Sequence, residues 1–385
     1  LIPCPENQRQ LIDGNFTAPM VFGEAIGRGK DMNQKSIIVL GGGLVGGPMA
    51  LDLAADERFA VTVADINENA LEELRSRQPK LEAIREDLSD PFRVTELVAG
   101  YDLVLNAVPG FMGYTTLNAI IEAHRNVVDI SFFAEDPFTL NDKAIEAGVI
   151  AIVDCGVSPG LSNLLIGRVA EQLDQVESVL IYVGGLPEVR HWPYEYKAVF
   201  SPIDVIEEYI RPARYIENGA MVTRPALSDP EFVNFHRIGT LEAFNTDGLR
   251  TLAQTIPAPN MKEKTLRYPG HIEKMAVLRE GGFFDETEIM VGDCAVRPID
   301  FTAALLFPNW KMGPGEADIT VLRVQVDGRQ DGREVSHVFE LFDLYDPQTG
   351  TLSMARTTGY TATAAVRMLS EGLYREPGIA PPELI

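Results

Sequence analysis

Short apolar runs alternate with amphipathic segments through the first 155 residues of the chain. After a first apolar run at 36–40, runs that predict strands lie at 61–64, 103–107, 127–130 and 150–153. Segments with apolar residues at helical spacing lie between them, at 69–77, 91–98 and 116–124. Strands that are buried on both faces and separated by helices form a parallel, doubly wound sheet. We therefore expect an α/β domain of the Rossmann type at the start of the chain.

The pattern changes after a helical segment at 160–173. Short strands and hairpins follow, with tight turns between 213–216 and 220–223 and between 319–327 and 335–344. This pattern is typical of an inserted α+β domain that carries an antiparallel sheet, and a final helical pattern at 361–373 is expected to return to the first sheet. The expected division is an N-terminal extension outside the fold (1–34), a Rossmann domain (35–155), the inserted substrate and dimerisation domain (156–350) and the returning C-terminal helix (351–385).

The loop after the first strand has the spacing of a dinucleotide-binding turn. Gly41, Gly43 and Gly46 form a Gly-x-Gly-x-x-Gly pattern between a strand and a helix, and Asp65 ends the next strand. The glycines allow a tight turn, a close approach to a pyrophosphate and close packing of the helix, whose free N–H groups attract the anion. The aspartate can accept hydrogen bonds from the ribose hydroxyls and would repel a 2′-phosphate. We therefore expect NAD, rather than NADP, as the cofactor.

Further cofactor contacts are expected at the carboxyl ends of the other strands, where ligands of such sheets bind. Together with the three glycines and Asp65, the expected contacts are Leu44, Val45, Asp87, Asn106, Ala107, Val108, Pro109, Ser131 and Cys155. Asp87 is expected near the adenine, and 106–109 beside the nicotinamide ribose. An ordinary strand end is the alternative interpretation of 106–109.

Composition narrows the class of protein. The 385 residues with 45% hydrophobic content are enough for two domains, and the net charge of −23 argues against nucleic acid and against an anionic membrane surface. An acidic surface can favour a cationic substrate. The first 31 residues lack the pattern of a signal peptide, and Met32 is the expected native start. Three widely spaced cysteines predict neither disulfides nor a metal site, so a cytoplasmic protein is expected.

Candidate chemistry lies in polar, glycine-containing segments of the second half. Segment 154–160 ends a strand and opens a helix, with Ser158 as the expected N-cap. Arg267 and His271 surround another turn, and Arg214 lies on a hairpin strand. Each feature has a structural alternative, namely capping for 154–160, a solvated surface group for Arg214 and packing for His271.

The order of these segments resembles the saccharopine dehydrogenase-like family. The glycine loop with Asp65 is followed, in the family's order, by 154–160, 184–187, 196–197, 212–215, 245–247, 264–271 and 354–360. The resemblance spans roughly residues 35–382 and is greatest to the lysine 6-dehydrogenase branch. It implies NAD-dependent oxidation of the ε-amine of L-lysine to 2-aminoadipate 6-semialdehyde, with release of ammonia, by at least a homodimer. Ser158 and the run 245–247 depart from the NADP-dependent saccharopine reductases, which tend to carry an acid and an Asn-Arg-Asp run there.

The reaction that the resemblance implies needs a carboxylate anchor, a group that stabilises an iminium ion and a proton relay. Arg214 and Arg267 are the expected anchors. Asp129 and Asp154 are expected near the nicotinamide, to stabilise the iminium or to order water. The expected proton relay consists of Lys197, Tyr268 and His271, and the expected substrate contacts are Arg214, Asn245, Thr246, Arg267, Tyr268 and His271.

Three other functions remain open at this point. A dehydrogenase of the same family could act on an adduct such as saccharopine or carboxynorspermidine. A homospermidine synthase-like transferase or a cyclodeaminase would keep NAD as a prosthetic group and return the hydride. A non-catalytic NAD sensor is the fourth function. Asp65 argues against NADP enzymes but does not separate lysine oxidation from the transferase.

Overall fold

A computed structural model of the chain describes residues 8–13, 34–313 and 315–385 and contains two large sheets. The strands up to the end of the first domain are β1 (Gln8–Asp13), β2 (Lys35–Leu40), β3 (Phe59–Asp65), β4 (Glu82–Arg85), β5 (Leu103–Asn106), β6 (Asn126–Asp129) and β7 (Ile150–Ile152). The helices of this part are α1 (Gly46–Ala54), α2 (Glu68–Arg77), α3 (Pro91–Val98), α4 (Gly110–Glu122) and α5 (Asn141–Ala147).

The remaining strands are β8 (Gln175–Pro187), β9 (Ala213–Glu217), β10 (Ala220–Arg224), β11 (Glu231–Phe235), β12 (Gly239–Asn245), β13 (Asn260–Arg267), β14 (Ile289–Val291), β15 (Cys294–Val296), β16 (Asp318–Gln330), β17 (Arg333–Leu344) and β18 (Gly378–Ala380). The remaining helices are α6 (Leu161–Ala170), α7 (Pro202–Ile210), α8 (Leu252–Thr255), α9 (His271–Glu280), α10 (Pro298–Trp310) and α11 (Ser353–Ser370). Two short 3₁₀ turns lie at Pro137–Leu140 and Pro382–Leu384.

The first sheet is parallel and has the order β18-β7-β6-β5-β2-β3-β4. The chain moves outward from β2 in one direction through β3 and β4, and in the other direction from β5 through β7. This reversal between β2 and β5 is the switch point at which doubly wound sheets bind their ligands. Two apolar cores cover the faces of the sheet, because its strands are buried on both sides. The expected Rossmann-type fold is confirmed.

The end of the chain returns to this first domain. Helix α11 packs against α1, where Arg367 forms an ion pair of 2.8 Å with Asp52. The last strand, β18, extends the sheet beside β7. The sequence pattern had indicated the returning helix but not the added strand, because three residues are too few for a periodic signal. The helix also begins eight residues earlier than its apolar pattern suggested.

The second sheet has the order β1-β17-β16-β8-β13-β12-β11, with the hairpin of β9 and β10 attached to β13. The hairpin pairs predicted for β9 with β10 and for β16 with β17 are present in antiparallel register. The sheet is mixed rather than purely antiparallel, because β8 and β13 run parallel in its centre. A crossover that contains α7 separates these two strands, as a parallel pair requires.

Residues 8–13 correct our expectation that the N-terminal extension lies wholly outside the fold. They form β1, which pairs in parallel with β17. An edge strand such as β17 has unpaired N–H and C=O groups that another segment can bind. Cys4 and Met32 lie outside the described residues. None of the helices in the described part of the chain combines the length and the apolar character needed to cross a bilayer.

Candidate functional site

A cavity of about 430 Å³ lies where the carboxyl ends of the parallel strands meet the second sheet. Its cofactor half is lined by residues expected there, namely Gly41, Gly43, Leu44, Val45, Gly46, Asp65, Ala107, Val108, Pro109 and Ser131. Its substrate half is lined by ionisable and hydroxyl side chains, namely Asp154, Asp204, Glu207, Glu208, Arg211, Thr246, Asp247, Glu263, Thr265 and Arg267.

The glycine loop has the geometry of a pyrophosphate cradle. Gly41 has a φ of +98°, and a Cβ at Gly46 would lie 1.9 Å from the carbonyl oxygen of Gly41. No atom lies within 4 Å of the Cβ position of Gly43, which therefore opens into the cavity. Helix α1 begins at Gly46 and directs its first N–H groups toward this space. The residues present fit the diphosphate of a nicotinamide dinucleotide.

Asp65 lies at the end of β3 and lines the cofactor half of the cavity. Its Oδ2 accepts a hydrogen bond of 2.7 Å from the backbone N–H of Gly42, and its Oδ1 accepts one of 2.7 Å from Asn67. These bonds orient the carboxylate and join it to the glycine loop. Each carboxylate oxygen can accept more than one bond, so both keep capacity for ribose hydroxyls.

Asp154 is a titratable group of the cavity lining that follows the end of β7. Its Oδ1 accepts a hydrogen bond of 2.6 Å from Nε of Arg250, and both side chains are buried. Its Oδ2 is also buried and has no hydrogen-bond partner among the residues that the structure describes. Burial raises the pKa of Asp154, while the charge of Arg250 opposes that rise. A buried carboxylate oxygen without a partner is available to a cationic or hydrogen-bonding ligand.

Asp129 does not line the cavity, although it was expected near the nicotinamide. Its carboxylate accepts bonds from Nδ2 of Asn106 at 2.8 Å and from the backbone N–H of Ser131 at 2.6 Å, so it ties the ends of neighbouring strands together. Burial raises the pKa of Asp129 to about 6. Cys155 is buried as well, and burial raises the pKa of its thiol to about 12. Asn106 and Cys155 are both buried and are not part of the cavity lining.

Helix α7 supplies one wall of the substrate half. Asp204, Glu207, Glu208 and Arg211 recur every three or four residues and therefore share one face of the helix and its C-cap. Arg211 stacks on Phe132, with Cζ 4.8 Å from the ring centroid, and its buried Nη1 has no hydrogen-bond partner in the described part of the chain. Burial raises the pKa values of Asp204 and Glu208.

Strand β13 supplies the opposite wall. Glu263, Thr265 and Arg267 alternate along the strand and line the cavity, so they lie on the same face of the sheet. Arg267 is 1% exposed and donates to Glu208 across the cavity and, at 3.2 Å, to the hydroxyl of Tyr209. Burial opposes a charged guanidinium, yet the surrounding tyrosines and Glu208 raise the pKa of Arg267. Arg267 is therefore already bound to an acidic side chain of the wall, so its guanidinium is not a free anchor for a substrate carboxylate.

Arg214 is not brought to the cavity. Its guanidinium lies behind Asp247, which lines the cavity in its place. Asn245 likewise points away and donates to Ser228 and Asp229, at 3.1 and 3.0 Å. Of the run 245–247, Thr246 lines the cavity as expected, and so does Asp247, which was not among the expected substrate contacts.

The side chains expected to form a proton relay also do not line the cavity, namely Lys197, Tyr268 and His271. His271 is fully buried, and its Nε2 is 2.9 Å from the hydroxyl of Tyr209. Burial lowers the pKa of His271 to about 3, with a further contribution from Arg267, so the ring is neutral at physiological pH. The Tyr268 hydroxyl donates to the carbonyl of Pro187, and Lys197 pairs with Glu316 at 2.9 Å. Neither side chain lines the cavity, and Ser158 is not the N-cap of α6, which is Gly160.

Sequence reasoning missed the acidic face of α7, Asp247 and Glu263. The spacing of 204, 207, 208 and 211 was a usable signal, since it predicts one polar helix face. Glu263 gave none, because it stands between two lysines as a solvated charge would. Asp87, expected near the adenine, is exposed and outside the cavity lining. Among the described residues, no group of three or more His, Cys, Asp or Glu side chains is arranged to hold a metal ion.

Comparisons with known proteins agree with this architecture. Residues 37–152 match the family model described as the saccharopine dehydrogenase NADP binding domain, and residues 156–385 match that of the saccharopine dehydrogenase C-terminal domain. The chain has the fold of apo saccharopine dehydrogenase (L-Glu forming) from Saccharomyces cerevisiae, with a TM-score of 0.73 and 20% identity over 91% of this chain and 94% of the other.

Two curated relatives are longer than the part of them that matches this chain. The chain is 24% identical to the mitochondrial alpha-aminoadipic semialdehyde synthase of Bos taurus over 91% of its own length and 45% of the relative. It is 29% identical to saccharopine dehydrogenase [NADP(+), L-glutamate-forming] of Schizosaccharomyces pombe over 66% of its own length and 59% of the relative. The match thus spans about half the length of these relatives. Because the two domain matches cover almost all of the residues that form the cavity, the chain belongs to the saccharopine dehydrogenase family.

Proposed function

We propose that this protein is an NAD-dependent dehydrogenase that oxidises the ε-amine of L-lysine to 2-aminoadipate 6-semialdehyde and releases ammonia and NADH. The observation that carries the proposal is the charge of the substrate half of the cavity, where six carboxyl groups line the wall with two arginines. Arg267 already pairs with Glu208, whereas Arg211 keeps an unpartnered Nη1. One carboxylate and two amino groups, as in lysine, match this arrangement.

Burial supports the preference for a cationic ligand. The pKa values of Asp154, Asp204 and Glu208 are raised because their charged forms lose solvation. An ammonium group entering the cavity supplies the missing countercharge and hydrogen-bond donors. Binding of a cation and ionisation of these carboxyl groups therefore favour each other.

The walls suggest one orientation for the substrate. Arg211 is the candidate partner for the α-carboxylate, through the guanidinium nitrogen that has no partner in the described part of the chain. Glu207, on the same face of α7, is the candidate partner for the α-ammonium group. The side chain then extends toward Asp154, whose free Oδ2 would stabilise the iminium ion that forms from the ε-amine.

The cofactor part of the proposal rests on Asp65. Gly41, Gly43 and Gly46 would hold the diphosphate, Asp65 would bind the ribose hydroxyls, and Pro109 and Ser131 of the cavity lining would contact the nicotinamide side. When bound, the nicotinamide ring supplies the hydride acceptor. A 2′-phosphate would stand against the Asp65 carboxylate, which favours NAD although the matched family model and the S. pombe relative carry NADP in their descriptions.

Saccharopine is the main competing substrate, because the relatives include saccharopine dehydrogenases. It carries three carboxylates, of which Arg211 has a free nitrogen for one, and the others would face the acidic side chains of the cavity. The charge of the wall thus favours lysine over this adduct. Carboxynorspermidine carries one carboxylate and three amino groups, so the charge of the wall does not discriminate against it, and the substrate panel decides between it and lysine.

The test uses the purified full chain with NAD or NADP and a panel of L-lysine, L-ornithine, saccharopine and carboxynorspermidine at mildly alkaline pH. NADH is followed by its near-ultraviolet absorbance, and ammonia is measured in parallel. Lysine with NAD should give NADH and ammonia in equal amounts. Faster turnover of an adduct, or the appearance of a new amine without net NADH, would contradict the proposal and favour the adduct dehydrogenase or the transferase.

A further inference from the structure

Glu263 is a carboxyl group of the cavity that has no cationic partner among the described residues. Its side chain is 4% exposed, lines the cavity and accepts a hydrogen bond from the Thr246 hydroxyl. The Thr246 hydroxyl is in turn 2.9 Å from that of Thr265. A Cβ at Gly248 would lie 2.4 Å from Oε2 of Glu263, so the carboxyl group packs directly on the backbone there. The group is thus held in one place by its own strand and by the 246–248 segment.

The lysines that flank Glu263 in the sequence do not neutralise it. Strand alternation turns Lys264 to the opposite face, where its Nζ binds Glu231 and the carbonyl of Asp229. Lys262 places its Nζ over the ring of Tyr215, 4.4 Å from the centroid. Three other acids of the cavity differ in this respect, since Asp154 is paired with Arg250, Glu208 with Arg267 and Asp247 with Arg214. Glu263 has a hydroxyl and a backbone N–H as its partners among the described residues.

The charged groups that face Glu263 keep its proton in place. Glu208 approaches from α7 and Asp247 from the 246–248 segment, and both carry negative charge toward it. Arg267, two residues along the same strand face, is committed to Glu208. Burial, followed by the charges of these two acids, raises the pKa of Glu263 to about 8. The carboxyl group is therefore neutral at low pH and ionises in the mildly alkaline range.

We propose that Glu263 is the group that takes the proton from the substrate ammonium, an inference that rests on the proposed amine oxidation. An ammonium in the cavity is the cation that Glu263 lacks, so its binding favours the carboxylate. The carboxylate then removes one N–H proton, which leaves a neutral amine and a protonated Glu263. The nitrogen lone pair forms the C=N bond as the C–H electron pair leaves as hydride to NAD⁺, which becomes NADH.

The second half of the reaction returns the carboxyl group to its first state. Water adds to the carbon of the iminium ion and releases one proton to solvent. Glu263 then protonates the amino nitrogen, the C–N bond breaks with its electron pair on nitrogen, and the hydroxyl proton leaves with the ammonia as NH₄⁺. The balance is one ammonium substrate, one NAD⁺ and one water converted to one aldehyde, one NH₄⁺, one NADH and one proton. A single carboxyl group with a pKa near the working pH can act in both directions.

The kinetic test compares wild type, Glu263→Gln and Glu263→Asp over about pH 6 to 10. Wild-type kcat/KM for the amine substrate should rise through an apparent pKa near that of Glu263. Glu263→Gln should lose about a hundredfold in kcat and lack this inflection, with an unchanged Kd for NAD. Glu263→Asp should restore part of the rate, with a shifted inflection. Glu177→Gln, at a partly exposed position on β8 far along the strand from the cavity lining, controls for the loss of a charge. An unchanged inflection in Glu263→Gln would overturn the proposal.

A second measurement needs no substrate. Infrared spectra of the NAD-bound protein should contain the carbonyl stretch of a buried carboxylic acid that disappears as the pH rises through about 8. This band should be absent from Glu263→Gln, whose fold is checked by circular dichroism. A spectrum without such a band at any pH would also overturn the proposal. If the band is present but lysine is not oxidised, the proposed substrate fails separately, and the kinetic comparison is made with the amine of the panel that is oxidised.

Discussion

Arg214 binds the carboxylate of Asp247 through two parallel hydrogen bonds, of 2.8 Å from Nε and 2.7 Å from Nη2. The Asp247 side chain is 4% exposed and lines the cavity, whereas 46% of the Arg214 side chain is exposed on the outside. The arginine that the sequence suggested as a substrate anchor therefore positions an acid that faces the substrate. It acts on the cavity through Asp247.

Arg214→Ala should raise the KM for the amine substrate about fivefold, which corresponds to about 1 kcal/mol for a partly exposed ion pair. The Kd for NAD should stay unchanged, because the glycine loop lies in the other half of the cavity. Steady-state kinetics and NAD titration measure the two effects. Arg224→Ala, on the neighbouring strand β10, is the matched control. Equal losses for amine and NAD would show that the pair supports the whole fold.

Asp65→Asn should weaken NAD binding at least about tenfold and reduce the preference for NAD over NADP. Asparagine keeps one acceptor for the Gly42 N–H group but removes the negative charge that stands against a 2′-phosphate. Fluorescence titration with both dinucleotides measures the change. Asp87→Asn, at an exposed position outside the cavity, should have no such effect. Tighter binding of NADP than of NAD by the wild type would contradict this assignment.

Arg211→Met should raise the KM for lysine about 10- to 100-fold, because a charge-assisted hydrogen bond to the α-carboxylate is lost while the aliphatic stem remains. Cadaverine lacks that carboxylate, so its inhibition constant should change little. The comparison of the two ligands separates lost recognition from a general disturbance of α7. Arg168→Met, an exposed arginine on α6, serves as the control. A similar loss for both ligands would argue against the anchor.

Tyr209→Phe should destabilise the protein by about 1–3 kcal/mol, because it leaves two buried polar groups without a partner. The Tyr209 hydroxyl accepts from Nε of Arg267 and lies 2.9 Å from Nε2 of His271. His271 contacts the carbonyl of Tyr194 through Nδ1, which makes Nε2 the acceptor for the Tyr209 hydroxyl. Thermal unfolding measures the loss, and kcat should fall with it because Arg267 loses its orientation.

Tyr114→Phe is the matched control for Tyr209, since it removes an exposed hydrogen bond to Thr139. It should cost less than about 0.5 kcal/mol. An unchanged melting temperature for Tyr209→Phe would mean that the buried network does not position Arg267.

Glu263→Gln should flatten the fall of stability between about pH 4 and about pH 8. The pKa of Glu263 is raised to about 8 in the folded protein, above its unfolded value, so the folded state binds the extra proton. Its contribution to the free energy of unfolding is therefore greatest at low pH and is lost as the pH rises from about 4 through about 8. Melting temperatures of wild type and variant should be similar near pH 4, separate in favour of the variant as the pH rises from about 4 to about 8, and keep a constant difference above that. Parallel curves would contradict the buried, protonated state.

The Rossmann domain could be predicted from the sequence because its signals are local. The strand, the glycine turn and Asp65 lie within 30 residues, and the close approach of Gly46 to Gly41 requires glycine whatever the rest of the chain does. The hairpin of β9 and β10 was equally readable from its turn. The apolar runs also indicated which strands would be buried on both faces.

The substrate half could be predicted as a region but not residue by residue. Its polar segments were in the right part of the chain, yet Arg214, Asn245, Tyr268 and His271 point behind the wall. Which face of a strand or turn meets a cavity depends on what packs on its other side. The sequence around a polar residue in a turn is the same whether its side chain faces the cavity or packs behind the wall.

The amino-acid sequence by itself therefore determined the doubly wound sheet, the dinucleotide loop and the acidic carboxylate at the end of β3, because short spacings and backbone conformations specify them. Only the tertiary structure decided which acids face the substrate. It placed α7 opposite β13, paired Arg267 with Glu208 and left Glu263 without a cationic partner among the residues that the structure describes. Contacts between residues about 60 positions apart exist only after the chain has folded.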